Sequence, residues 1–134
     1  MWVLDTNTLI YFFKGQGCVA ESLFQKAPRD IGVPTVALYE LQVGIAKSAS
    51  PERRQAQLAE LSAVVQVLPF QADEAQTAAT IRAELERQGH SIVPYDILIA
   101  ATARAHGATL VTRKTKEFGR IDTLKIEDWY GDGR

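Results

Sequence analysis

Short apolar runs rich in strand-forming residues punctuate the chain at Trp2-Val3-Leu4, Ile31-Gly32-Val33, Val67-Leu68 and Thr109-Leu110-Val111, and the segments between them carry helical periodicity. That alternation constrains the fold more than any other feature. A chain that returns to lay its next strand in the same direction needs a crossover, and a helix is the compact way to make one. The predicted class is therefore α/β: a three-layer α/β/α fold around a central, mainly parallel sheet of about five short strands.

Local chemistry sets the element boundaries. Asp5-Thr6-Asn7 stops the first run and supplies capping side chains for a helix through Leu9, Ile10, Tyr11 and Phe13. Pro34 suits the first turn of a helix carrying Val36, Leu38, Leu41, Val43 and Ile45. Ser50-Pro51-Glu52 opens another, on which Leu58, Leu61, Val64 and Val65 share a face, and Val67-Leu68-Pro69 is extended. The next helix starts near Asp73 and runs to a C-cap at Gly89, with Arg82 and Glu86 spaced for an exposed ion pair. Pro94-Tyr95-Asp96 begins an apolar helix that ends at Gly107. Leu124-Lys125-Ile126 reads as a last edge strand, with Trp129 and Tyr130 pinning the tail before the Gly-Asp-Gly-Arg end.

With no repeat, low-complexity tract or linker, the 134 residues read as a single domain, 1–134. The hydrophobic share of 46% and charged share of 23% are those of an ordinary soluble chain. Its apolar runs break well before the ~20 residues of a membrane span. Met1-Trp2-Val3-Leu4-Asp5 has no basic n-region or apolar h-region, and Cys18 is the sole cysteine, so the expectation is a cytoplasmic chain without an intrachain disulfide. Fifteen basic against sixteen acidic residues leave a net charge of −1, so a nucleic-acid ligand would need locally segregated positive charge.

In parallel sheets, ligands gather beyond the carboxyl ends of the strands, which singles out four acids. Asp5 ends the first strand, Glu40 lies about two turns into the helix after the second, Asp96 starts the helix before Leu110-Val111, and Glu117 follows that strand. Each has a structural role open to it: Asp5 and Asp96 as caps, Glu40 on a solvent face, Glu117 as a loop charge. Two of them sit in apolar surroundings. Ala37-Leu38-Tyr39-Glu40-Leu41 and Val93-Pro94-Tyr95-Asp96-Ile97 place a carboxylate where a missing counter-charge is costly, so each calls for a metal or a basic partner.

The ordered set Val3-Leu4-Asp5-Thr6-Asn7, Glu40 with Gly44, Pro94-Tyr95-Asp96-Ile97-Leu98-Ile99-Ala100-Ala101, and Leu110-Val111-Thr112 with Glu117-Phe118 resembles the PIN-domain ribonucleases, and among them the VapC toxins. The resemblance runs through essentially the whole chain and implies a PIN-like fold. By it, Asp5, Glu40, Asp96 and Glu117 form the acidic quartet, catalytic and metal-binding, with Asn7 and Thr112 as polar supports. The chain departs from the pattern at Lys114, where many relatives carry Asn or Asp, and in ending the quartet on Glu rather than the commoner Asp. Lys114 can pair with Glu117 or touch a substrate phosphate.

Carboxylate oxygens without a His/Cys cluster suit Mg²⁺, with Mn²⁺ as the alternative, and clustered acids lacking metal repel one another. The implied chemistry is metal-assisted hydrolysis of an RNA phosphodiester to a 3′-hydroxyl and a 5′-phosphate. Arg113, Lys114, Lys116 and Arg120 form the best basic cluster for RNA, with Lys14 and Lys47 as further candidates, against the plainer role of a solvated charge run. The resemblance further implies a structured RNA target, a tRNA anticodon loop or a ribosomal RNA loop, and arrest of translation. Arg82-Ala83-Glu84-Leu85 and the Asp96 and Thr112 blocks look closest to the enteric-type group, which points first to initiator tRNA. Its implied partners are a second copy of the chain and a VapB-type antitoxin, whose tail blocks the acidic pocket and whose other end binds operator DNA.

Two other readings stand beside this one: a catalytically silent PIN-like module that binds RNA or protein, and a response-regulator-like acidic domain. The second expects a central phosphoacceptor, whereas Asp5 follows the first strand. Neither a Walker loop nor a Rossmann glycine turn is present. His106 before Gly107 and His90 in a polar turn read as structural, Cys18 as a packed thiol, and the aromatics as core, with Tyr11, Tyr39 and Tyr95 the ones to place relative to the pocket.

Overall fold

A computed structural model describes residues 1–131; positions 132–134, the end of the predicted domain, lie outside the described residues. Five strands, β1 (Trp2–Leu4), β2 (Ile31–Pro34), β3 (Gln66–Leu68), β4 (Thr109–Val111) and β5 (Lys125–Glu127), form one sheet in the order β3-β2-β1-β4-β5. Every pairing is parallel, with Val3 opposite both Gly32 and Leu110. The predicted strands are thus present, the last of them one residue later than its sequence reading.

Helices α1 (Thr6–Lys14), α2 (Val19–Phe24), α3 (Thr35–Ala46), α4 (Pro51–Val64), α5 (Ala72–Arg87), α6 (Pro94–Ala105) and α7 (Thr115–Phe118) make the connections. The chain steps outward from β1 to β2 to β3, then jumps back across β1 to lay β4 and β5. Right-handed crossovers therefore put α1–α4 on one face and α5–α6 on the other. The step reverses between β1 and β4, and at such a point the connections leave the carboxyl ends of neighbouring strands in opposite directions and open a crevice.

The central strands are buried on both faces: Val3, Leu4, Ile31, Val33, Leu110 and Val111 are all at most 1% exposed. Leu9, Ala37, Ile81 and Ile99 pack over them from the helices. Asp5 caps α1 by accepting from the Thr8 amide at 2.9 Å, while Gln71 and Glu74 form a reciprocal capping box on α5. Gly89 and Gly107, with φ of 76° and 61°, end α5 and α6 in the left-handed conformation expected of them. Pro34 differs slightly from expectation: it closes β2, and α3 begins at Thr35. The Arg82–Glu86 pair is present at 3.0 Å on the exposed face of α5.

The tail is pinned by aromatic chemistry. Trp129 is buried, and the indole N–H groups of Trp2 and Trp129 both donate to the Glu127 carboxylate at 3.1 Å. The Lys26 ammonium lies over both indole rings, 5.0 and 5.1 Å from their centres. No helix among the described residues is long and apolar enough to cross a membrane.

Candidate active site

Asp5 leaves β1 at the reversal point, its amide donating to the Val111 carbonyl of β4 at 3.1 Å. It is 2% exposed, and α1 starts on its side chain. Burial pushes the Asp5 carboxyl up from its ordinary value; hydrogen bonds from Thr112 and Thr8 oppose the shift, and the charge of Asp96 adds to it. Thr112, fully buried at the end of β4, thus reaches Asp5 while its hydroxyl oxygen also accepts from the Lys114 amide at 3.0 Å. Asn7, the other predicted support, lies half-buried in the first turn of α1.

Asp96 enters from the first turn of α6 and is 7% exposed. Its Oδ2 accepts from the Lys114 Nζ at 2.8 Å. Burial alone would lower the pKa of the Lys114 ammonium; the hydrogen bond to Asp96 and the charges of Asp96, Asp5 and Glu117 outweigh it and raise the value. The ammonium therefore lies in the field of three of the four predicted acids. Its partner is Asp96 rather than Glu117, a pairing across eighteen residues that no local pattern discloses. Glu117 stands half-buried on α7, which is anchored by the fully buried Phe118.

Glu40 comes from the middle of α3, where its Oε1 accepts from the Thr6 hydroxyl at 2.6 Å. In the sequence Thr6 belongs only to the capping segment; its link to Glu40 comes from the packing of α1 against α3. Beside the two acids, Tyr39 and Tyr95 meet edge to face with ring centres 5.6 Å apart, both exposed. The Tyr95 phenol is raised, first by its hydrogen bond with Tyr39 and least by the Glu40 charge. A cavity of about 330 Å³ opens next to Glu40 between α1, α3 and α4, lined by Ile10, Phe13, Leu41 and Leu58, with Lys14 and Arg54 also in its wall.

All four predicted acids thus lie toward the carboxyl ends of the strands, but among the described residues no three Asp, Glu, His or Cys side chains close into a ready-made metal-holding group. The donor chemistry fits a hard divalent cation: carboxylate oxygens, one deeply desolvated, in each other's field. The counter-charge present is Lys114. Of the other predicted RNA contacts, Lys116 is exposed and Arg120 half-buried. The Arg113 guanidinium lies over the Tyr130 ring at 3.7 Å, and Tyr130 in turn packs edge to face on Tyr11. His106 bonds the Thr102 carbonyl of its own helix through Nδ1 at 2.8 Å, in keeping with a structural role.

Residues 2–124 match the PIN domain family. The chain belongs to that family. Its PIN fold has full-length relatives: a Shigella flexneri protein named tRNA(fMet)-specific endonuclease VapC is 37% identical over 128 residues, covering 96% of this chain and 97% of the relative. Ribonuclease VapC2 of Haemophilus influenzae is 35% identical over the same shares. Among solved structures, VapBC2 from Rickettsia felis bound to a promoter DNA fragment contains a chain that superposes with a TM-score of 0.88 at 35% identity, covering 96% of this chain and 98% of that one. VapBC from Salmonella typhimurium bound to DNA matches at the same TM-score and 36% identity, over 96% and 97%. Within the PIN family, the chain therefore stands with the VapC proteins.

Proposed function

We propose that this chain is the toxin endoribonuclease of a type II toxin–antitoxin pair, which hydrolyses a phosphodiester in structured RNA with a divalent metal, Mg²⁺ or Mn²⁺, and so inhibits translation. The observation that carries the reading is that the Lys114 ammonium, paired with Asp96 at the reversal point of a parallel PIN sheet, lies in the field of Asp5 and Glu117 as well, with Glu40 on α3. Full-length similarity to a tRNA(fMet)-specific endonuclease makes initiator tRNA, at its anticodon loop, the first substrate to test.

Asp5, Glu40, Asp96 and Glu117 would hold the metal. A bound divalent cation supplies Lewis-acid stabilisation of the charge that builds on the phosphate and the leaving oxygen. The chain's own residues do the positioning. Thr112 and the Thr8 amide aim Asp5, Thr6 aims Glu40, and burial excludes water from the Asp5 side of the crevice. Water attack forms the new bond to phosphorus as the bond to the 3′ oxygen breaks; a carboxylate at the rim accepts the water's proton and the leaving oxygen takes one from solvent, giving a 3′-hydroxyl and a 5′-phosphate. Lys116 and Arg120 flank Glu117 and would hold the neighbouring phosphates.

Partners follow from the same reading. Solved relatives are VapBC complexes bound to DNA, in the Rickettsia felis complex a fragment of the promoter. We assign this chain a VapB-type antitoxin whose tail closes the acidic pocket, contact with operator DNA through that antitoxin, a homodimeric state and a cytoplasmic location. The cavity beside Glu40 offers apolar walls for such a tail, with the Glu40 carboxylate as the acceptor for a basic side chain on it.

The test is cleavage of deacylated tRNA and ribosomal RNA by purified protein with Mg²⁺, with Mn²⁺ and with chelator, with ends mapped and Asp5→Asn as control. A discrete cut that needs metal and Asp5 supports the reading. The Lys114–Asp96 ion pair favours a second one, a silent binding module in which Asp96 already has its counter-charge. RNA binding without any cut, by folded protein under every condition, would establish that alternative instead.

A further inference from the structure

Lys114 sets its ammonium against one of the four acids. Its Nζ is 2.8 Å from Asp96 Oδ2, its side chain is 34% exposed and that of Asp96 11%. The backbone on which it rides is held separately, because the Lys114 amide donates to the buried Thr112 hydroxyl at 3.0 Å and the residue is the N-cap of α7. A lysine is a point charge on a flexible stem, so the ammonium can leave Asp96 by rotamer change while Thr112 keeps the loop in place.

We propose that Lys114 is a positioning residue that acts as the built-in counter-ion of the acidic crevice, holding Asp96 while no metal is bound and yielding it when a divalent cation enters. The inference rests on the reading of Asp5, Glu40, Asp96 and Glu117 as metal ligands. Without a cation, Asp5 and Asp96 are two buried carboxylates, 2% and 7% exposed, at one crevice, and Lys114 is the counter-charge against Asp96. A divalent ion and an ammonium cannot both contact Asp96 without repelling each other, so their occupancies are negatively coupled and each weakens the other by the same factor. The metal-free crevice is therefore kept assembled at the expense of metal affinity.

The experiment compares wild type, Lys114→Gln, Asp96→Asn and the double variant by thermal unfolding and by calorimetric titration with MgCl₂ and with MnCl₂, without RNA. In chelator, Lys114→Gln should lower the melting temperature in the wild-type background and have no effect once Asp96 is Asn. With metal, Lys114→Gln should reach half-saturation at about tenfold lower Mg²⁺ than wild type. Equal or weaker Mg²⁺ binding by Lys114→Gln overturns the exchange and leaves the metal site standing. An equal loss of stability in both backgrounds overturns the counter-ion role. Failure of Mg²⁺ and of Mn²⁺ to affect any of the four proteins removes the metal reading itself, and the exchange with it. Should Lys114→Gln not fold, the wild type supplies a second readout: the side-chain NMR resonances of Lys114 should shift away from their ion-paired positions as Mg²⁺ is added. Resonances unchanged at saturation would overturn the proposal.

Discussion

Burial of Asp5 beside Asp96 sets stability against chemistry at a single side chain. Its folded pKa lies above the unfolded one, so the folded state binds a proton more readily, and the cost of the ionised form is present at neutral pH and relieved as pH falls through the folded pKa. Asparagine keeps the cap on α1 without the charge. Asp5→Asn should therefore melt at a higher temperature than metal-free wild type at pH 7, with the gap closing toward about pH 4, as followed by calorimetry across that range. The same variant should lose RNA cleavage by about a hundredfold or more, because the carboxylate acts on charge that develops in the transition state. Thr112 poses the opposite case: it is fully buried, and its hydroxyl serves Asp5 and the Lys114 amide together. Thr112→Val keeps the shape but leaves the amide without its acceptor, and should lower stability by about 1–3 kcal/mol in urea denaturation.

One of the elements that carry the site is too short to stand alone. α7 spans four residues, below the length at which a helix sustains itself, and it bears Glu117 and has Lys114 as its N-cap. Phe118, at 0% exposure, ties it to the core. Phe118→Ala should cost about 3–5 kcal/mol by denaturant unfolding and free α7 from its seat, raising amide exchange over residues 114–119 ahead of the sheet. The connection from α1 to α2 has a comparable pivot at Gly17. Its φ is 63°, and a Cβ there would lie 2.6 Å from the Tyr130 carbonyl oxygen, which also accepts from the Cys18 amide. Gly17→Ala should cost about 1–3 kcal/mol and loosen the segment carrying Tyr130, the ring on which Arg113 rests. Faster exchange of the Cys18 amide would report it.

Across the whole molecule, acids collect at the strand ends while the net charge is only −1, so RNA has to be held by local basic groups. Lys116 is exposed and Arg120 partly so, on the turn that carries Glu117. In a cleavage-deficient Asp5→Asn background, Lys116→Gln with Arg120→Gln should make the log–log salt dependence of RNA binding shallower by about 1.4, the contribution of two phosphate contacts on single-stranded RNA. An unchanged slope would return both residues to the solvated surface. Adding Arg113→Gln should lower stability as well as affinity, because that guanidinium is packed on Tyr130.

The alternation of apolar runs with helical segments was enough to determine the α/β class, all five strands to within a residue and the position of Asp5 at the end of the first, because these depend on periodicity and on capping within a few residues. Local chemistry also disclosed the ends of α5 and α6 and the Arg82–Glu86 pair. It was silent on α2 and α7, whose short helices are stabilised by packing of Val19, Leu23 and Phe118 rather than by a periodic pattern long enough to read. Only the tertiary structure decided which acid receives which partner. Thr6 reaches Glu40 across 34 residues, and Lys114 reaches Asp96 across 18. Such pairings depend on how α1 lies against α3 and how the turn after β4 meets α6. Charge interactions fall off with distance through space and are indifferent to separation along the chain, so no reading of neighbours in sequence contains them.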